Sequence, residues 1–513
     1  MISPAKRRNQ ASVAIALLTL VPAVARSQTS APPGRLTPPA SITAGDYTAR
    51  RAFIASKVDS GVILAFGESE PLVYYPTFFQ MPNFEYLTGF DESDAVMLIL
   101  KRKGAPASTM MFVPRQTPMA ARFVGDRTAI EDLQRTIGMT GRHLADLRPA
   151  LDSLIANGLP VYFIPAVHTG DHFDEDSVTF GARFISNLRA AHPNLVIRSL
   201  DSAITDLREK KTPAEIALLR RAAQISVLAH REAMKAAAPG CGENEIQALM
   251  DATFRRFGGD RPGYGSIVAS GKHANTLHYM IDNDTLRKGD LILIDAASSY
   301  NHYSADVTRT FPVNGRFTAP QRDIYQLVRD AQEAFVRQIR NGVSAAVATD
   351  SGRTVVRQGL ARLGLIESPD ATFDGYPGMP CPATGCPEVA LYELHGYGGH
   401  GLGLEVHDPA QYYDNGNQFK VGDVFTVEPG IYVAPDYIAL MPDTPRNRAV
   451  RARIASAVEK YKWIGVRIED DYALTDNGLE WLSRGAPREI NEIEALMREP
   501  SPQLPGGGTC GKQ

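Results

Sequence analysis

"LILIDAASSYNHYSADVTRTF", residues 291–311, decides how this chain is read. Residues 291–294 are a short apolar run that fits a buried strand, and Val307, Thr308, Thr310 and Phe311 fit its return. A reversal near Tyr300 and Asn301 places Asp295 opposite Asp306 on one face of the hairpin, with Cβ atoms about 5 Å apart. Like charges that close and that buried repel, so a shared proton, an arginine or a metal ion must hold them.

The stretch has an echo. "KGDLILID" (288–295) and "VGDVFTVE" (421–428) both run from Gly-Asp through a β-rich segment into a carboxylate. A duplicated half, folded as a pseudo-two-fold pair, sets Asp295 and Glu428 on either side of one cleft; chance similarity of two short strands is the alternative. Three further stretches carry polar groups in similar settings. "GGHGLGLEVHD" (398–408) holds His400 and His407, "WIGVRIEDDYAL" (463–474) holds Arg467 and Glu469 on one strand face, and "SIVASGKHANTLHY" (266–279) holds His278. Taken singly, a histidine here is an ordinary core or surface residue, and Glu469 with Asp470 and Asp471 is a solvated acidic edge. Taken together, Asp295, Asp306, His400, Glu428 and Glu469 place four carboxylates and one imidazole at the ends of apolar strands. That much buried negative charge requires cations. An oxygen-rich set with one nitrogen donor suits Mn²⁺, Co²⁺ or Zn²⁺, and five ligands exceed one tetrahedral ion but suit two ions roughly 3.5 to 4 Å apart. These residues alone point to a dinuclear metal hydrolase without naming its substrate. No P-loop, H-E-x-x-H or G-x-S-x-G motif offers another chemistry.

The whole chain, 513 residues with 44% hydrophobic and 22% charged content, is an ordinary globular one too long for one core. A formal net charge of −3 gives no basic field, so neither nucleic acid nor an anionic membrane is expected as a partner. Lys6, Arg7 and Arg8 precede "ASVAIALLTLVPAVA", and Ala23 and Ala25 offer a cleavage site. This layout predicts a signal peptide over 1–27 and an exported protein, periplasmic or extracellular, with an uncleaved anchor as the alternative. A flexible leader (28–45) follows. An α/β N-terminal domain spans 46–205, and an α+β domain spans 206–490 with helices covering a curved antiparallel sheet. The capping boxes Thr212/Glu215 and Thr318/Gln321 start two of its helices. Residues 491–513 read as a disordered tail. Of the four cysteines, Cys381 and Cys386 bracket a Pro/Gly-rich loop and predict a small disulfide, against free thiols or a metal site.

At the five ligand positions the chain resembles the creatinase/aminopeptidase "pita-bread" metallopeptidases, and within them the aminopeptidase P group. The order Asp, Asp, His, Glu, Glu matches, as do "HGLGLEVHD", "TVEPGIYV" and "VRIEDD", and "MPNFEYLTGFDESDAVMLIL" (81–100) matches the N-terminal domain. The resemblance implies that Asp295 chelates one ion, that Asp306 and Glu469 bridge two, and that His400 and Glu428 complete the second. It implies a metal-held water or hydroxide as nucleophile, Glu428 as general base, His278 and His407 at the substrate, and Arg467 orienting the acids. It further implies two divalent ions, Mn²⁺ first with Co²⁺ or Zn²⁺ as alternatives, peptide substrates with proline second, and a homo-dimer or higher oligomer. Prolidase is the runner-up, methionine aminopeptidase ranks low, and a metal-free binding module is remote because every ligand is present. Two departures stand out. His395 precedes His400 by five residues where the family has four, leaving its role open, and 436–462 reads as an insertion at the cleft rim. His168 and His172 match nothing in the family and read as structural or surface residues.

Overall fold

The computed structural model describes residues 38–70, 77–166, 179–379, 381–394, 398–409 and 417–500. The N-terminal apolar segment, His168, His172 and His395 lie outside these residues. No helix among the described residues is long and apolar enough to cross a membrane.

The N-terminal domain is a six-stranded mixed sheet. Its strands are β1 (Gly61–Phe66), β2 (Val96–Lys101), β3 (Ser108–Val113), β4 (Thr140–His143), β5 (Val161–Phe163) and β6 (Ile197–Ser199), in the order β4-β3-β2-β1-β5-β6. Helices α1 (Ala44–Ser56), α2 (Pro82–Thr88), α3 (Pro118–Val124), α4 (Leu133–Ile137), α5 (Leu147–Ala156), α6 (Phe180–Ala191) and α7 (Asp201–Glu209) accompany it. β1 is buried along its whole length because both faces are covered. Ile63 and Ala65 face Ile54 and Leu87, while Val62, Leu64 and Phe66 face Leu147, Leu151 and Ile185. A capping box at Thr43 and Asp46 starts α1 inside the expected leader, so order begins earlier than position 46. Position 206 falls within α7, and the passage between domains comes at 210–212.

The second domain opens with α8 (Pro213–Ala236) and α9 (Glu243–Arg256), the first capped by Thr212 and Glu215 as the sequence indicates. Strands β7 (Ile267–Ser270), β8 (Leu291–Asp295), β9 (Ser299–Tyr300), β10 (Tyr303–Ser304) and β11 (Thr308–Pro312) follow, with β8 between β7 and β11. The hairpin register differs from the expected one. Asp295 pairs with Thr308, and Tyr300 pairs with Tyr303, because the turn residues are Asn301 and His302 with φ of 45° and 68°. A turn with both central residues in the left-handed region matches the twist of its strands. Moving the hairpin centre by one residue shifts the pairing by two, and side chains alternate with period two. Asp306 therefore stays on the face of Asp295, as a diagonal neighbour rather than a direct one.

The second half repeats the plan. Helices α10 (Ala319–Val336) and α11 (Ala345–Leu363) pack as a pair, as α8 and α9 do. After β12 (Thr372–Phe373) and β13 (Cys386–Pro387) comes β14 (Val424–Val427), which pairs antiparallel with β17 (Asp470–Thr475) as β8 pairs with β11. β15 (Gly430–Tyr432), β16 (Gly465–Arg467) and β18 (Gly478–Trp481) complete the sheets. The halves meet where the Glu469 N–H donates to the Thr308 carbonyl at 3.1 Å. The segment 436–462 folds mainly as α12 (Pro435–Ala439) and α13 (Pro445–Tyr461). It packs beside the loop closed by the Cys381–Cys386 disulfide, where Arg446 pairs with Asp374 at 3.1 Å.

The disordered tail expected from 491 begins with an ordered helix. Residues 490–496 form α14 (Ile490–Leu496), and Ile493, Leu496 and Met497 are buried. Apolar residues at 490, 493, 496 and 497 give the helical spacing that the Pro/Gly-rich end of the chain obscures.

Candidate active site

The duplicated hairpins deliver the acids to one place. Asp295 ends β8, Asp306 lies just before β11, Glu428 follows β14 and Glu469 lies just before β17. His400 is carried beside them by the Gly-rich segment, its N–H donating to Thr426 Oγ1 at 3.0 Å. Gly399 packs against the Thr426 side chain where any Cβ would collide. Ligand atoms of Asp306, His400 and Glu469 lie within 4.8 Å of one another. His400 Nε2 is 3.4 Å from Asp306 Oδ2 and 3.5 Å from Glu428 Oε1. Its Nδ1 lies 3.1 Å from the Gly401 carbonyl, which fixes the proton there and turns the Nε2 lone pair toward the acids. Asp295 joins through Tyr264, whose hydroxyl is 2.6 Å from Asp295 Oδ1 and also touches Asp306 Oδ1.

The charge balance tests whether ions fit. Burial first, and then the charges of Asp295 and Glu428, push the Asp306 carboxyl well above its ordinary range. Burial, then Asp306 and Glu428, do the same to Glu469. Burial also opposes ionisation of Asp295, but Arg467 and Tyr264 overcome it and hold that carboxyl below its usual value. Arg467 donates to Asp295 Oδ2 at 2.6 Å, to the Tyr432 hydroxyl at 2.8 Å and to Thr308 Oγ1 at 3.2 Å. One guanidinium cannot offset four acids, and one Tyr264 hydrogen cannot serve two carboxylates. Divalent cations fit this donor set: hard oxygens, one oriented imidazole nitrogen and uncompensated negative charge.

The remaining candidates divide. The His407 ring is exposed and lies 4.1 Å from the His400 ring. His278 is exposed in the turn after residues 271–275, and among the described residues no hydrogen bond or ion pair joins it to the acids. Tyr264, Thr308, Thr426 and Tyr432 are the neighbours that sequence reasoning missed. Only Tyr432 carried a signal, since 428, 430 and 432 share strand parity. Gly430 is required there because a Cβ would sit 2.7 Å from the Tyr432 hydroxyl, blocking its reach toward Arg467.

Residues 217–476, half of the chain, match the family described as Metallopeptidase family M24. The chain belongs to that family. Residues 47–162 match the aminopeptidase P N-terminal domain. The Xaa-Pro aminopeptidase of Haemophilus influenzae is 34% identical over 428 residues, covering 82% of this chain and 89% of that protein. The structure of Escherichia coli aminopeptidase P with the inhibitor Pro-Leu superposes with a TM-score of 0.73 at 30% identity, covering 89% of this chain and 99% of that one. A Zn-substituted E. coli aminopeptidase P in complex with product matches with a TM-score of 0.73 at 29% identity over the same shares. This M24 chain is thus a metal-dependent aminopeptidase with an aminopeptidase P-type N-terminal domain and a pita-bread catalytic domain, and prolidase is not favoured.

Proposed function

We propose that this enzyme releases the N-terminal residue from peptides with proline second, and that Asp295, Asp306, His400, Glu428 and Glu469 hold two divalent ions, Mn²⁺ first among the candidates. The observation that carries the reading is the convergence of the four acids at the inner ends of two equivalent hairpins, with His400 beside them and, among the described residues, Arg467 bonded to Asp295. When bound, such ions polarise the scissile carbonyl and acidify water.

The chain's own residues do the rest. Glu428 is the least buried of the four acids, its Oε1 accepting from Thr426 Oγ1 at 3.1 Å. It takes the proton from the attacking water and returns it to the proline nitrogen as the C–N bond breaks. That nitrogen carries no hydrogen in the substrate, so the returned proton makes it a secondary amine. His407, exposed at the rim beside His400, donates to the oxygen on which charge develops, and His278 meets the substrate from the loop between β7 and β8. Arg467, fixed by Thr308 and Tyr432, keeps Asp295 ionised and in place.

The Lys/Arg-flanked apolar N-terminus supports export to the periplasm or the outside, and the Cys381–Cys386 disulfide agrees with an oxidising compartment. A homo-dimer or larger assembly is part of the same proposal, and sedimentation would read it. The deciding assay compares a proline-second tripeptide with the matching Xaa-Pro dipeptide after chelation, with and without Mn²⁺. Tripeptide cleavage restored by metal is expected; cleavage of the dipeptide alone would return the reading to prolidase.

A further inference from the structure

His400 and His407 sit at the two ends of one short Gly-rich loop, and the residue after His407 turns away from the site. The Asp408 side chain is 2% exposed and lies between the two domains. Its Oδ1 accepts from Arg208 Nη2 and from the Glu405 N–H at 3.2 Å, and its Oδ2 accepts from Lys211 Nζ at 2.9 Å. The Asp408 N–H donates back to the Gly401 carbonyl at 2.9 Å, closing the loop on itself. Gly403 has no side chain because the carboxylate fills that space. Arg208 is itself fully buried. It reaches Glu405 at 2.8 Å and Asn83 Oδ1 at 2.7 Å, and Asn83 belongs to α2 of the N-terminal domain. Lys211 is fixed from the other side, its N–H donating at 2.9 Å to Gly422, in the turn before β14.

We propose that Asp408 is the positioning residue for His407, and that Arg208 and Lys211, by clamping it, make docking of the N-terminal domain a condition for an ordered catalytic loop. This rests on the reading of His407 as a substrate-contacting group. In physical terms, a buried carboxylate with two cations and a backbone donor has one tolerable orientation, and the adjacent peptide fixes where the His407 ring emerges. The N-terminal domain then takes part in turnover through this clamp.

A double-mutant cycle tests it, with metal-loaded full-length enzyme and a proline-second tripeptide. Asp408→Asn should lower kcat by about 10- to 100-fold, the scale seen when groups that orient active-site ligands are removed, with bound metal unchanged. Combined with His407→Ala, it should cost nothing further, because the ring it positions is gone. Equal costs in both backgrounds would make Asp408 a general stability residue and overturn the inference alone. Full activity of His407→Ala would remove the reading of His407 and the inference with it. Should Asp408→Asn fail to fold, Lys211→Met in the same cycle reads the same coupling: no added cost in the His407→Ala background supports the inference, and an equal cost overturns it.

Discussion

Glu469 and Asp470 are neighbours in sequence, equally buried, and face opposite fates. Asp470 points to a fully compensated pocket: Arg309 at 2.6 Å, Ser483 Oγ at 2.6 Å, Arg488 at 2.8 Å and Gln332 at 3.0 Å. Burial opposes its ionisation, but the two arginines prevail and hold the carboxyl below its ordinary value. One residue earlier, Glu469 points to the other face and accepts from Thr308 at 2.6 Å; burial first, and then the charges of Asp306, Glu428 and Asp295, push its carboxyl up against the pull of Arg467. The strand thus separates a structural charge, balanced by protein, from a functional charge, left for an ion to balance.

Substituting each to its amide should have opposite effects on stability. Asp470→Asn leaves Arg309 and Arg488 buried without their counter-charge and should cost about 3 to 5 kcal/mol in denaturant unfolding. Glu469→Gln removes a repulsive charge, so the chelated protein should be as stable as the wild type or more so. Its activity with metal should nevertheless fall beyond the 10- to 100-fold typical of outer-sphere losses. Equal destabilisation by both would show that Glu469 is compensated after all.

Within the functional set, Glu428→Gln separates proton transfer from metal binding. If Glu428 moves a proton as well as binding, the amide should lower kcat by about 10²- to 10⁴-fold. Elemental analysis should still find metal in the variant. Loss of both ions together with activity would reduce Glu428 to a ligand.

The pH dependence of stability follows with opposite signs on the two faces. Asp306 and Glu469 have raised folded-state values, so their contribution is complete below the ordinary carboxylate range and is lost as pH rises through the raised values. Asp470 is lowered, so its contribution is present above that range and is lost in acid. Chelated enzyme should therefore lose stability as pH rises above about 4, approaching about 1.4 kcal/mol per unit for each proton released. Saturating Mn²⁺ should flatten the profile. A flat profile without metal would mean that the acids are ionised unaided.

The two faces were not equally legible in the sequence. The functional acids could be read because the Gly-Asp echo and strand parity place Asp295 and Glu428 equivalently, and parity survived even the two-residue error in hairpin register. That error arose because Asn301 and His302 lack the Asn-Gly signature that marks a two-residue turn. Asp470 was legible only as an acidic neighbour, since Arg309 and Arg488 reach it from other parts of the chain. Tyr264 stands 31 residues from Asp295 and 42 from Asp306, in a loop with no periodic signal. The start of α8 was explicit at Thr212 and Glu215, a local pattern, whereas α14 was lost against a Pro/Gly-rich end.

An ion pair already in water should matter least. Arg220 and Glu480 form a two-point ion pair at 2.5 and 2.8 Å, comparable to the contacts around Asp470, yet both side chains are more than a third exposed. Water already solvates each charge, so little is lost when the partner goes, and the ordering of two long side chains offsets part of the attraction. Arg220→Ala should therefore shift stability by less than about 1 kcal/mol and leave kcat/KM unchanged, although its geometry rivals that of Arg309. A cost near that of Asp470→Asn would show that distance, rather than desolvation, sets the worth of a charge pair in this fold, and the contrast between Glu469 and Asp470 would need another cause.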